Sequence, residues 1–189
     1  YLNIKGEEDL RVLKHAFLNA FFQTGLKGNI DEAVINHINE HGLSELSEKY
    51  TKIDEIPFDF ARRRLSVIVS DGQKTQMITK GAVEEILGIS TMVDYQGNVS
   101  PITNAIKENI KKITKDLNKQ GLRVVAVCQK NNLEKTSEFT VSDEKNMVLI
   151  GFIGFLDPPK ESAKSSIEKL NKNGIRVIVL TGDNVAVTK

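Results

Sequence analysis

The spacing of apolar positions divides the chain into segments of two periods. Leu10, Leu13, Phe17, Ala20 and Phe21 recur at three- and four-residue intervals. That spacing predicts a helix over 7–23, with Glu7, Glu8 and Asp9 in its first turn, where the helix dipole favours acids. Ile30, Ala33, Val34 and Ile38 predict a second helix over 30–41, capped by Asn29 and stopped by Gly42. The period then drops to two. "RLSVIVS" and "KTQMITK" flank Asp71-Gly72, a strong hairpin signal. "GAVEEILGI" (81–89) reads as a short helix and "DYQGNV" (94–99) as another turn. Pro101 opens a long helix whose stripe is Ile106, Ile110, Ile113 and Leu117, and Gly121 ends it. "LRVVAVCQK" and "MVLIGFIGFL" (147–156) read as strands. "DPPKESAKSSIEKLNKNG" is a loop and a helix with prolines at its start, followed by a buried strand, "IRVIVL".

This order predicts an α+β organisation. Hairpin-linked strands over 1–156 imply an antiparallel sheet, whereas 157–189 resembles one βα piece of a parallel layer. Such a piece is too short to bury both faces of its strand. The expectation is therefore a fragment of a second domain, cut from a longer polypeptide.

Composition changes the picture little. Of 189 residues, 40% are hydrophobic and 27% charged, as in ordinary globular proteins. A net charge of +1 offers no electrostatic case for nucleic acid as a partner. The single cysteine, Cys128, excludes an intrachain disulfide. No apolar run approaches the roughly 18 residues of a membrane span.

Candidate chemistry concentrates in four places. Asp157-Pro158-Pro159-Lys160 is either a rigid strand-to-helix turn or a stiff interdomain joint carrying a carboxylate. Thr181-Gly182-Asp183-Asn184 combines a hydroxyl, a backbone open to phosphate and a carboxylate suited to magnesium or its waters. Lys80-Gly81 ends a strand and opens a helix. Glu84 and Glu85 in that first turn oppose a phosphate there, so Lys80 fits a base or ribose pocket better, unless it simply snorkels at a strand edge. In "IPFDFARRRLSV" an exposed Phe58 or Phe60 beside cations could stack a purine, and Arg62, Arg63 and Arg64 could equally be a solvated edge. Arg123, just after Gly121, could make an ion pair or reach a phosphate. His37 and His41 share a helical face, but no third ligand is evident for zinc.

"PF" with "RRRLSV", then "KGA", "GLRVVAV", "DPPK" and "TGDN", in that order, resembles the cytoplasmic portion of P-type cation-transporting ATPases along essentially the whole chain. "PFDFARRRLSV", "KGAVEEIL" and "FLDPPKESA" are most similar to the bacterial magnesium-transporting branch. The resemblance implies a nucleotide-binding domain over 1–156, an antiparallel sheet flanked by helices, and part of a haloacid-dehalogenase-like phosphorylation domain over 157–189. It implies that Phe58 stacks on adenine, that Lys80 and Gly81 line its pocket, and that Arg123 reaches the phosphates. An acid in "GNIDEAV" would face the adenine amino group; Glu32 aligns best, with Asp31 the alternative. Asp157, Thr181, Gly182 and Asp183 would belong to the phosphoryl-transfer site. Phe60 stands where other branches often carry a polar or basic residue.

The family's phosphorylated "DKTGT" and magnesium-binding "GDGxND" strings are absent, so no catalytic residue or metal ligand is assigned. The resemblance therefore implies an enzyme segment that binds MgATP but is inactive alone. Its partners would be the remaining phosphorylation, actuator and transmembrane domains of a pump, at the cytoplasmic face of the plasma membrane. Two other readings stand beside it: a non-catalytic interaction module, and a fragment of a capped haloacid-dehalogenase-like phosphatase.

Overall fold

The computed structural model describes residues 1–178 except 26, 44, 132, 134–137 and 157–160. One seven-stranded sheet organises the chain, in the order β1-β2-β3-β6-β7-β4-β5. Helix α1 (Leu10–Phe22) and helix α2 (Asn29–Glu40) precede a short α3 (Leu46–Lys49). Strands β1 (Thr51–Asp59), β2 (Arg64–Ser70) and β3 (Thr75–Gly81) form a meander, followed by α4 (Val83–Ile89). Then come β4 (Ser90–Tyr95), β5 (Asn98–Pro101), α5 (Asn104–Lys119), β6 (Leu122–Asn131), β7 (Met147–Leu156) and α6 (Glu161–Lys172).

The turns follow the expected local chemistry. Asp71 Oδ1 accepts from the amides of Gln73 (3.1 Å) and Lys74 (3.0 Å) in the β2–β3 hairpin. Gln96 and Gly97, both at positive φ, close the β4–β5 hairpin, as a two-residue primed turn requires. Gly121 at φ +81 separates α5 from β6. The first helix starts with its apolar stripe at Leu10, three residues after the start of the expected range 7–23. Asp9 is the N-cap and accepts from Arg11 N at 2.9 Å, while Glu7 lies outside the helix and receives Asn3 Nδ2 at 3.0 Å.

All strand pairs are antiparallel except β4 with β7, which run parallel through Val93 opposite Leu149. The sheet is thus mixed, because β4 and β7 are distant in sequence and their long connection permits either direction. Both faces are covered. Alternate residues of β2 and β3 feed two separate cores: Leu65, Val67, Val69 and Ile78 pack with α1 and α2. Ile68 and Met77 pack with Val83, Ile86 and Ile110 of α4 and α5. The interior of β2, Leu65 to Val69, is buried on both faces, which explains why it is apolar except for Ser66. Cys128 is fully buried among them, and burial pushes its thiol up to about 12.

Before α1 the chain crosses β7. Leu2 and Phe152 exchange both backbone hydrogen bonds, at 2.8 and 2.7 Å. Gly151 makes that crossing possible, since a Cβ there would lie 2.1 Å from Leu2 O and 2.7 Å from Val12 Cγ2.

Helix α6 buries none of its residues. Ile175 to Ile178, expected to open a strand, pair with no described strand, and Ile175 and Ile178 are exposed. A strand needs a ladder partner for its amides, and among the described residues none is paired with these. The remainder of that expected strand lies outside the described residues.

Two predictions follow from this core. Gly151→Ala should destabilise the fold by roughly 1–3 kcal/mol through overpacking, whereas Gly88→Ala, in α4 with nothing within 4 Å of its Cβ position, should stabilise it by a few tenths to about 1 kcal/mol. Urea titration of both variants measures this. His15 is buried in α1, with Nδ1 2.6 Å from Arg11 O and Nε2 3.3 Å from the Gln76 amide, and burial lowers its pKa. The unfolded state takes up a proton below its pKa of about 6.5 that the folded state refuses. Stability should therefore fall by up to about 1.4 kcal/mol per pH unit below that point. The acid-side slope should be shallower in His15→Gln.

Candidate functional site

A doubly covered sheet can present side chains to solvent only at its ends, and this one opens a cleft where β1, β3, β6 and β7 meet. Phe58 comes from the end of β1, Lys80 and Gly81 from the end of β3, Arg123 from the start of β6 and Phe155 from the end of β7. The ladder registers bring them together: Leu65 opposes Lys80, Gly81 opposes Ala126, and Arg123 opposes Phe155. The α1–α2 connection (Gln23, Thr24, Gly25, with Ile30 and Asp31) walls one side; Val83, Glu84, Thr114 and Asn118 wall the other. The cavity measures about 1160 Å³.

Phe58 is 51% exposed, and Phe60 is 89% exposed. Their centroids lie 5.3 Å apart with the planes at 86°, so together they form an aromatic corner on the rim. Large rings left this open carry unfavourable hydration that a planar partner would remove.

Lys80 enters from the opposite wall. Its Nζ donates to Asp31 Oδ1 and, at 2.9 Å, to Gln23 Oε1. Asp31 is 6% exposed and also accepts from Gln23 Nε2 (2.7 Å) and the Gly28 amide (3.1 Å). Burial pushes the Lys80 pKa down, with the Asp31 carboxylate opposing it. Glu32, the acid favoured from sequence, is exposed and does not line the cleft. Successive residues in the first turn of a helix point roughly 100° apart, so only one of two adjacent acids can face inward. Asp31 does.

The three consecutive arginines divide in the same way. Arg62 and Arg64 turn away from the cleft onto Glu144, whose side chain has no solvent exposure. Arg62 Nη1 lies 2.8 Å and Arg64 Nε 2.7 Å from Glu144 Oε2, and Ser66 Oγ donates to Oε1 at 2.7 Å. Only Arg63 lines the cleft; it sits at φ +45 and bonds Glu85 at 2.7 Å. Gly81 lets this turn come close. A Cβ there would meet Arg63 O and Arg64 Cβ, each at 2.6 Å, and the Ala82 amide donates to Arg63 O at 3.0 Å. Arg123 lies near the Phe155 ring, 5.9 Å from its centroid.

Phe58, Lys80, Gly81 and Arg123 thus share one cleft, while Glu32 stands outside it. Asp157, Thr181, Gly182 and Asp183 lie outside the described residues. Gln23 and Glu144 carried no sequence signal. A lone Gln after a helix and a lone Glu in a loop look like surface positions until the fold buries them. Among the described residues no group of three or more His, Cys, Asp or Glu could hold a metal ion, and no helix is long and apolar enough to cross a membrane.

A mixed sheet helix-covered on both faces, with an aromatic and basic cleft at its open end, defines the class. The chain belongs to the P-type ATPase cytoplasmic domain N family, whose model matches residues 18–162. It is 42% identical over 188 residues to the magnesium-transporting ATPase, P-type 1 of Escherichia coli strain K12, covering 99% of this chain and 21% of that protein. A calcium-transporting ATPase of Listeria monocytogenes is 33% identical over 146 residues, 77% of this chain and 17% of the relative. The chain spans about a fifth of the length of the curated relatives it matches.

Removing the buried acid tests how the cleft is held. Glu144→Ala leaves two guanidinium groups largely buried without their carboxylate and should cost roughly 3–5 kcal/mol, read as a lowered midpoint in chemical denaturation.

Proposed function

We propose that this chain binds ATP as the nucleotide-binding domain of a P-type pump and presents the γ-phosphate to an aspartate outside these residues. The observation that carries the proposal is the convergence of a half-exposed aromatic ring, Phe58, and a largely buried ammonium, Lys80, on one cleft large enough for a nucleotide. Adenine stacks on Phe58, where base–aromatic contacts are worth about 1–3 kcal/mol. Asp31 is the acid that reads the exocyclic amino group, in place of Glu32. A carboxylate accepts from an amino donor and repels a carbonyl, which favours adenine over guanine. Lys80 and Gly81 border the base, and Arg63 and Arg123 supply positive charge towards the phosphates.

The donor set fits a nucleotide. It does not fit a protein-held magnesium ion among the described residues, so any Mg²⁺ would arrive on the phosphates. Likeness to magnesium-transporting ATPases at 42% identity supports magnesium as the transported ion. A plasma-membrane location for the pump is part of the same proposal. Phosphoryl transfer needs nucleophile, metal and γ-phosphate in line. The "DKTGT" string that would bring the nucleophile is not in this sequence, so the isolated chain is not expected to hydrolyse ATP. The half-exposed Phe58 speaks against a purely structural role for the ring in an interaction module.

Titration with ATP, followed by backbone amide shifts, should perturb Phe58, Lys80 and Arg123. Phe58→Ala should weaken binding at least fivefold, and Asp31→Asn should narrow the preference for ATP over GTP. An unperturbed cleft at millimolar ATP defeats the proposal.

A further inference from the structure

We propose that the C-terminal end of α2 carries a transition-metal site formed by His37 and His41, selective for borderline ions such as Zn²⁺ and Ni²⁺ over Mg²⁺. The inference does not rest on the nucleotide reading. Asp31 and this pair stand near opposite ends of α2, on the order of 10–15 Å apart along the axis at 1.5 Å per residue.

The helix supplies the spacing. The His41 amide donates to His37 O at 3.3 Å, so the helical turn continues through both residues and stacks their rings on one side. The ring centroids are 4.7 Å apart, and the two Nε2 atoms lie 3.2 Å from each other. Two nitrogens bound at 2.0–2.1 Å to one ion are separated by about 2.9 Å at a right angle and about 3.4 Å at the tetrahedral angle. The observed separation falls between these limits, so the pair already has the span of a two-nitrogen site; both rings turn to aim their lone pairs at a shared ion.

A second observation concerns the proton on His37. Glu40 Oε2 lies 2.9 Å from His37 Nδ1. A carboxylate can only accept, so in the neutral ring the hydrogen sits on Nδ1 and leaves the Nε2 lone pair facing His41. This carboxylate–imidazole arrangement orients metal-binding histidines and raises their basicity. In the metal-free pair His41 Nε2–H donates to that lone pair. Metal uptake moves this hydrogen to His41 Nδ1, which leaves two Nε2 lone pairs for the ion. Tyr1 supplies a third polar atom, its hydroxyl 3.2 Å from His41 Nε2, where it can ligate the ion or hold a bound water. His37 keeps 42% of its side chain exposed, so the remaining positions are open to water.

Imidazole nitrogen selects the ion. It suits zinc, nickel and copper, whereas magnesium demands oxygen ligands and gives up water reluctantly. Isothermal titration of the whole chain with Zn²⁺ should give one site per chain, with micromolar affinity and a matching rise in Tm. Mg²⁺ should be silent up to millimolar concentration. His37→Gln and His41→Gln should each weaken Zn²⁺ binding at least tenfold, and Glu40→Gln, which keeps both ligands, about tenfold. Circular dichroism should show the variants folded, as expected for substitutions at an exposed helix end. Absence of saturable Zn²⁺ binding, binding that survives loss of either histidine, or one ion per two chains would overturn the proposal.

Discussion

The cleft depends on the carboxylate of Glu144. It lies behind the sheet in a loop leading to β7, without solvent exposure, and takes Arg62, Arg64 and Ser66 at hydrogen-bond distance. Two guanidiniums and a hydroxyl around one acid offset the desolvation that makes buried charge costly. The geometric effect is as important as the energy. With its neighbours drawn to the far side, the turn after β1 has one arginine left to face outward. That turn carries Phe60 to the cleft rim beside Phe58 at the end of β1. Gly81 completes the arrangement from β3, because a side chain there would collide with Arg63 O and Arg64 Cβ.

A sheet covered on both faces leaves few places for chemistry. Its middle is filled by two cores, one under α1 and α2 and one under α4 and α5. Several polar groups inside pair with one another, as His15 does with Gln76 and as Ser66 does with Thr79 at 2.7 Å, whereas Asn19 Oδ1 and Ser90 Oγ are buried without a hydrogen bond among the described residues. Only strand ends, and the loops and helix termini beside them, can hold groups that meet a ligand. In this protein five strands contribute one to three residues each. None of the contributions is a motif by itself.

Within the cleft, Lys80 and Asp31 set the electrostatics. Burial disfavours the ammonium, and the acid offsets part of that effect. Gln23 donates to Asp31 and accepts from Lys80, which ties both into one hydrogen-bonded group. In the ATP-binding reading this pair presents an acceptor and a donor to a base edge, while the phenyl corner opposite supplies a stacking surface. Arg63 and Arg123 line the same cleft, and the ATP-binding reading assigns them to the phosphates.

Local physics made much of this legible in the linear sequence. Asp71-Gly72 and Gln96-Gly97 define hairpins through backbone conformations that few residues accept, and Gly121 ends a helix for the same reason. Apolar periodicity marked the helices and strands, and the ordered series of short motifs pointed to the family and to Phe58, Lys80, Gly81 and Arg123 as residues of one site. Tertiary structure decided the rest. The parallel pairing of β4 with β7 is a long-range choice that no local pattern encodes. Which of Asp31 and Glu32 turns inward depends on how α2 is rotated against the sheet. Which of the three arginines meets the cleft depends on Glu144, some 80 residues away along the chain. Periodicity reports which face of an element is apolar; the partner a polar side chain finds is known only once distant elements have come together.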